Sequence, residues 1–333
     1  MLAVSGPNVY LTRPRQGDVL LFKDTNGDGR SDSQQTVVTG RENVHGIFVQ
    51  GTKLYLATVS EVLVGTIAAD GSVGALSEII RDLPSGGQHP YRTLAVGPDN
   101  QLYISVGSTC DACEEPDPEH ATLLRSPTAG STKATRTVFA KGLRNTIGFG
   151  WHPTTGALWG MDNGSDWRGN DLPPEELNRI ESGRNYGWPF CFGDRRIDPI
   201  IQDPAKTTKA AYCAASTPPV LENQAHEAPI GMTFYAGTQF PAEYRDDAFV
   251  ALRGSWNRFP PIGYRIARID FQAGQPTAVR DFVSGFLIED GRAVFGRPAG
   301  VAVASDGSLL FTDDTNGVIY RVSYGEAPDS GQP

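Results

Sequence analysis

Apolar positions in this chain cluster into short strand-length phrases, and one such phrase recurs six times behind a tight turn. The copies are Asn8–Thr12 (NVYLT), Lys53–Ala57 (KLYLA), Gln101–Ser105 (QLYIS), Ala157–Met161 (ALWGM), Ala248–Leu252 (AFVAL) and Ser308–Thr312 (SLLFT). Ahead of them stand Gly6-Pro7, Gly51-Thr52, Asp99-Asn100, Thr155-Gly156, Asp246-Asp247 and Asp306-Gly307, where positive φ or a side-chain turn comes easily. Upstream of each turn lies a second apolar strand: Leu2–Val4, Ile47–Val49, Leu94–Val96, Ile147–Phe149, Met232–Phe234 and Val301–Val303. Strand, turn, strand and a variable outer stretch, repeated at intervals of tens of residues, is how a propeller blade reads in sequence. Six units predict an all-β, six-bladed β-propeller with long inter-blade loops.

The length of 333 residues suits one closed β domain, here expected over 1–325, with a polar, frayed tail over 326–333. The 38 glycines, 24 prolines and only 3 methionines fit a turn-rich β protein. No apolar run is long enough to cross a bilayer, so no membrane insertion is expected. The chain opens at Leu2–Val4, already inside an inner strand, which reads as a processed precursor with a truncated first blade and one strand of the ring unaccounted for.

A net charge of −9 argues against a nucleic-acid surface and leaves small-molecule chemistry as the better expectation. The four cysteines form two local pairs, Cys110 with Cys113 and Cys191 with Cys213, placed where disulfides would pin loops. That usage points to an oxidising compartment, the periplasm or the exterior. Cys110-Asp-Ala-Cys113 has no second such pair or nearby histidine to make zinc, and no following histidine for haem attachment, so it reads as a loop staple.

Asp24-Thr-Asn-Gly-Asp-Gly-Arg-Ser-Asp32 sets oxygen ligands at alternating positions, with Gly29 at the sharp turn. Asp24, Asn26, Asp28, the Arg30 carbonyl and Asp32 match the first half of an EF-hand loop, which predicts calcium; a solvated Asp/Gly hairpin is the plain alternative. Its peripheral place assigns it to stability.

Residues leading into the inner strands gather at one mouth of a propeller's channel. Here they are Asn43–His45, Gln88–Arg92, Leu143–Asn145, His226–Pro229 and Phe295–Pro298, and they hold three of the five histidines. A ring of His and Arg would grip a planar anion, and a neutral His would accept a proton from an alcohol.

At these residues the chain resembles the sorbosone and glucose dehydrogenase family. The resemblance lies in Gly142–Asn145 (GLRN), Asn185–Pro189 (NYGWP), His226–Gly231 (HEAPIG), Gly254–Arg258 (GSWNR), Gly296–Pro298 (GRP) and Thr312–Asp314 (TDD), in the family's order over nearly the whole length. It implies a six-bladed propeller using pyrroloquinoline quinone (PQQ) and calcium to oxidise an aldose or sugar aldehyde, with electrons passing to an acceptor the sequence does not identify. By motif, His89 is the implied general base, Arg144 polarises the quinone oxygen, and Asn145, Asn163 and His226 help position the cofactor. Arg253 and Arg297 meet its carboxylates, and the carbonyls of Gly164 and Ser165 hold calcium. The Asn185–Pro189 stretch reads as packing beneath the cofactor loop.

Two departures are visible: Gln88 precedes the implied base where the glucose-oxidising branch is acidic, and Asn163-Gly-Ser-Asp166 replaces the usual Asn-Glu-Arg-Asp. Two other functions fit a six-bladed ring. A calcium-dependent lactonase would need carboxylates such as Asp162, Glu227 and Asp313 at the axis, and a binding scaffold would carry only a vestigial site. The excess of Arg and His at the mouth favours the dehydrogenase.

Overall fold

A computed structural model of the chain describes residues 1–325; the tail predicted over 326–333 lies outside the described residues. Six antiparallel sheets stand as blades around a ring. Blade 1 comprises Leu2–Ser5, Asn8–Arg13, Asp18–Lys23 and Ser33–Val38, and blade 2 comprises Gly46–Gln50, Lys53–Ala57, Val62–Thr66 and Ser77–Ile80. Blade 3 is Leu94–Val96, Gln101–Val106, Thr122–Pro127 and Thr137–Lys141, and blade 4 is Gly148–Trp151, Leu158–Asp162, Glu175–Arg179 and Leu221–Asn223. Blade 5 is Pro229–Phe234, Ala248–Leu252, Arg265–Gln272 and Gln275–Val283, and among the described residues blade 6 holds Pro298–Val303, Leu309–Asp313 and Val318–Val322.

The hairpin chemistry predicted for the blades is present in every one. Gly6, Gly51, Asn100, Gly156, Asp246 and Gly307 all take positive φ in the first turn, between +56° and +88°. Asparagine and aspartate tolerate this region better than other side chains, so the turn survives at Asn100 and Asp246 without glycine.

Blades hold together through side chains meeting between neighbouring sheets. Tyr10, Leu21, Leu54 and Leu56 are buried between blades 1 and 2, and Trp159, Met161, Val250 and Ala267 between blades 4 and 5. Each large buried side chain contributes about 1.5–3 kcal/mol of transfer free energy, before the entropy of ordering it. Near the axis the inner strands approach too closely for side chains: a Cβ at Gly148 would lie 2.6 Å from the Ile230 carbonyl, and one at Gly231 2.6 Å from the Ala299 carbonyl. Glycine there lets successive blades converge on the channel.

Among the described residues the ring closes without a hydrogen-bonded seam strand, by packing of Pro298–Val303 against Leu2–Ser5. The expectation of a truncated first blade is corrected here. Blade 1 has four strands, and among the described residues the three-stranded blade is the sixth.

The longest excursion splits blade 4 between its third and fourth strands. It contains the pair Cys191–Phe192 and Arg196–Ile197 and the helix Lys209–Ala214, N-capped by Thr208, whose hydroxyl accepts from Ala211 N at 3.2 Å. The Cys191–Cys213 disulfide ties this helix to that pair. Among the described residues no helix is long and apolar enough to cross a membrane.

Candidate active site

The segments leading into the inner strands of blades 3 and 4 lie side by side. Thr93 Oγ1 donates to the Ile147 carbonyl at 2.6 Å, and Ser108 N donates to the Arg144 carbonyl at 2.8 Å. Gly107 is the narrow point: a Cβ there would sit 2.5 Å from His89 Cβ and 2.8 Å from Asn145 Oδ1, so these two side chains flank it. His89 Nδ1 lies 3.1 Å from the Ser108 carbonyl and 2.9 Å from Ser108 Oγ, and that hydroxyl donates onward to the Cys110 carbonyl at 2.7 Å. A carbonyl only accepts, so Nδ1 carries the proton and Nε2 presents a bare lone pair. Burial, with the nearby Arg144 charge adding to it, lowers the His89 pKa to about 4. The ring is therefore neutral over the physiological range. Ser108, not Gln88, orients it; the Gln88 side chain is exposed.

Arg144 is buried at 4% exposure in a dense set of acceptors. Its Nε donates to the Asp111 carbonyl at 2.9 Å, and one terminal nitrogen lies 3.0 Å from Asp111 Oδ1 and 3.1 Å from Asp166 Oδ2. The other terminal nitrogen has only a long 3.4 Å bond to the Asn163 carbonyl, so it is the guanidinium's least committed donor. Asp111 is the hub that sequence reasoning missed. Besides Arg144, its carboxylate accepts from Arg168 at 2.8 Å and from Asp166 N at 2.6 Å, and its carbonyl accepts from Ser165 Oγ and Trp188 Nε1. The predicted Cys110–Cys113 disulfide is formed and brackets this residue, so the staple fixes the partner of Arg144. Glu115 is near those sulfurs, but they are bonded to each other and offer no thiolate.

The loop Asn163–Ser165 and the Asn185–Pro189 stretch line one small cavity, and Tyr186 and Trp188 are buried. Asn163 Nδ2 donates to the Asn145 and Pro229 carbonyls, at 3.0 and 2.8 Å, which holds the loop to blades 4 and 5. Gly164 N and Ala228 N donate to the two oxygens of Glu175, at 2.9 and 3.0 Å. Among the described residues the carbonyls of Gly164 and Ser165 accept no hydrogen bond, which leaves both available to a cation.

Below the loop is a small cavity of about 20 Å³, lined by Arg144, Asp162, Glu176 and Asp198 among others, with room for a single water. Burial raises Asp162 to about 6, against the pull of its donors Thr146 Oγ1, Asn145 N and Arg144 N. Burial, then the neighbouring Asp162 charge, raises Glu176 to about 8. The folded chain thus keeps a Glu176 proton that the unfolded chain releases near pH 4.5, so its stabilising effect is complete at low pH and is lost as pH rises through about 8. Asn178 Oδ1, buried without a partner, is close by, since Asn178 Nδ2 donates to Glu176 Oε2 at 3.3 Å. Glu176→Gln should therefore raise Tm at pH 9 by roughly 5 °C and leave it nearly level at pH 4. A pH-independent difference in melting curves would refute the buried proton.

The predicted cofactor arginines form a second group on blades 5 and 6. Arg253 N donates to the Ala228 carbonyl at 3.0 Å, and its Nε donates to Asp314 Oδ2 at 2.7 Å. Asp314 N in turn donates to the Arg297 carbonyl at 3.1 Å. The Arg297 guanidinium lies 5.4 Å from the Tyr264 ring centroid and has no acidic partner among the described residues. Gly254, at φ +99°, accepts the same ring, which a Cβ would strike at 2.5 Å. His226 is buried, and its Nε2 donates to the Gly169 carbonyl at 2.8 Å, so it braces the loop beyond Asp166. Arg92, fully buried, donates only to the carbonyls of Val59, Pro84 and His89, a structural role.

The loop Asp24–Asp32 lies at the periphery, far along blade 1 from this mouth. Asp24 accepts from Gly27 N and Gly29 N, Asn26 Oδ1 from Asp28 N, Asp28 from Arg30 N, and Asp32 from Thr25. These are the self-capping bonds of an Asx-rich turn, and they leave each carboxylate with further lone pairs. The carboxylates a lactonase would use are committed elsewhere: Asp162 to blade 4 amides, Glu227 to Arg265, and Asp313 to Arg297 N and Asn316.

The blade topology thus puts a neutral histidine and a buried arginine, with Arg253 and Arg297 on blades 5 and 6, at one end of a six-bladed ring. Residues 10–325 match the TrAA12-like family, and the chain belongs to it. An uncharacterised protein of Borreliella burgdorferi is 38% identical over 230 residues, 68% of this chain and 58% of that protein. A pyrroloquinoline quinone-dependent sugar dehydrogenase of Hypocrea jecorina is 25% identical, covering 90% of this chain and 79% of its own. The calcium structure of a Trichoderma reesei carbohydrate-active enzyme of family AA12 superposes with a TM-score of 0.80 at 22% identity, over 94% of this chain and 89% of that one. The chain thus spans less than two thirds of the first of these relatives.

Proposed function

We propose that the chain is a PQQ-dependent dehydrogenase that oxidises an aldose or sugar aldehyde. The observation that carries the proposal is His89, held neutral with Nε2 unprotonated, next to the cationic Arg144 and on the same mouth as Arg253 and Arg297. The donor set fits the cofactor: an unpaired and a half-exposed guanidinium suit carboxylates, and two unengaged carbonyls suit calcium. PQQ, when bound, supplies the two-electron acceptor for hydride from the sugar carbon.

The chain's own residues do the rest. His89 Nε2 takes the proton of the sugar hydroxyl, and the Nδ1–H bonds to Ser108 hold the ring on that tautomer. Arg144 places a fixed positive charge where negative charge develops, in a site whose wall of buried carboxylates and Trp188 excludes water. Arg253 and Arg297 fix the orientation of the cofactor's carboxylates, Asn145 and Asn163 hold the wall between blades 4 and 5, and His226 braces the loop. Gly164 and Ser165 are the calcium ligands in this reading, and Asp24, Asn26, Asp28, Arg30 and Asp32 form a second, structural calcium site. Two disulfides suit a periplasmic or secreted protein.

The test is to mix the full chain with PQQ and calcium and follow dye reduction by a panel of aldoses. Lactone hydrolysis without dye reduction would overturn the proposal in favour of a hydrolase, and silence in both assays would leave a binding scaffold. Chelator should lower both the affinity for PQQ and Tm, because Gly164 and Ser165 would hold one ion beside the cofactor and the Asp24–Asp32 loop would hold another. An unchanged melting curve would remove the Asp24–Asp32 ion.

A further inference from the structure

A cluster of exposed aromatic side chains borders this mouth. Trp167 is 66% exposed, Trp256 63% and Phe259 81%. The two indoles meet edge to face, with centroids 5.4 Å apart at 82°. They belong to two loops remote in sequence but laced together: Asn257 Nδ2 donates to Asp166 Oδ1 at 2.8 Å, Asn170 Nδ2 donates to the Phe259 carbonyl at 2.7 Å, and Arg258 pairs with Asp171 at 3.4 Å. Trp167 also has φ +64°, a conformation that is uncommon for a bulky residue and is retained where the surroundings impose it. The loop thus accepts strain to hold an indole in water, where burial would reward it. Trp167 directly follows Asp166, the partner of Arg144, so the platform continues the rim of the site.

We propose that this platform is a stacking subsite for the pyranose units of a β-linked oligosaccharide whose terminal unit reaches His89. This rests on the dehydrogenase reading and names its substrate class. A pyranose has an apolar C–H face with hydroxyls around its edge. The platform has the complementary pattern: aromatic faces bordered by the polar side chains of Asn170, Asp171 and Arg258, with Leu172 and Pro260 as the exposed aliphatic neighbours. The two indole planes stand at 82° to each other, an angle that suits successive, mutually twisted sugar units. The cross-linked loops hold it in place before binding, so little ordering entropy is lost.

The experiment titrates the full chain without added cofactor with cellotetraose and with glucose, following tryptophan fluorescence and heat. Cellotetraose should give a saturable change and glucose a much weaker one. Trp167→Ala and Trp256→Ala should each weaken tetraose binding about fivefold to tenfold, with Tm unchanged because both rings are exposed, and Trp167→Phe should keep most of it. No saturable tetraose signal, or equal affinity in the alanine variants, would overturn the proposal. So would alanine variants that keep tetraose affinity but lose turnover with a protein electron acceptor while keeping it with a small dye, which would make the platform a protein docking site. Because binding is read without PQQ, the two readings fail separately: tetraose binding with no dye reduction would sink the dehydrogenase and keep a glycan site, and glucose oxidation with no tetraose binding would do the reverse.

Discussion

His89→Ala should lower turnover by about 10²–10⁴-fold, the contribution of a positioned general base, while the half-buried ring leaves Tm almost unchanged. The pH profile separates this from a packing defect. Because burial and the Arg144 charge hold the imidazole at about 4, the acid limb of kcat/KM in the parent chain should fall near pH 4, well below the ordinary histidine value of 6.5. The same shift costs stability in acid: as pH falls from 6.5 toward 4 the unfolded chain takes up a proton that the folded chain refuses. His89→Ala should flatten that part of the stability curve. An acid limb that stays in place in the alanine variant would remove His89 from the proton transfer.

Arg144→Ala should lower turnover by about 10²–10³-fold, as loss of a fixed charge at a developing oxyanion does. It should also cost stability, since Asp111 and Asp166 lose a buried cationic partner; truncating one member of a buried pair costs about 3–5 kcal/mol. Arg168 and Asn257 remain on those two carboxylates and keep the cost toward the lower end. Arg144→Lys should recover part of the stability but little of the rate, because an ammonium cannot reproduce the planar fork that reaches Asp111 and Asp166 together. Arg144→Ala also removes a charge that depresses His89, so the acid limb should move to higher pH. Asp111→Ala leaves the charge and removes its anchor. A full rate in that variant would show that Arg144 needs no orientation, and the hub would then be structural only.

The blades were legible because their rule is local. A residue able to take positive φ followed by an apolar phrase occurs at Gly6, Gly51, Asn100, Gly156, Asp246 and Gly307 alike, and each makes its hairpin. His89, Arg144 and Arg297 each stand ahead of an inner strand, a position the strand phrases mark, and the blade topology puts those entries at the same end of the ring. Asp111 was not legible, because a lone aspartate between two cysteines reads as filler in a staple; only the fold brings Arg144, Arg168 and Ser165 to it, from more than thirty residues away. Arg92 shows the opposite error, being a cation in the right phrase whose donors are all spent on backbone carbonyls. The Trp167–Trp256 pair depends on two loops crossing, which no local pattern encodes. The three-stranded sixth blade was equally hidden, since counting strand phrases does not say which sheet lacks its outermost member.

That short sheet gives the molecule a direction of failure. Among the described residues the strand Val318–Val322 has a neighbour on one side only, and its sheet meets Leu2–Ser5 through packing of side chains. Thermal breathing should begin there, with amide exchange fastest along that free margin, while sheets three and four stay shut. Arg297 rides on the loosening sector and His89 with Arg144 on the sound one, so on warming the proposed cofactor would be released while the residues proposed to handle the proton stay arranged.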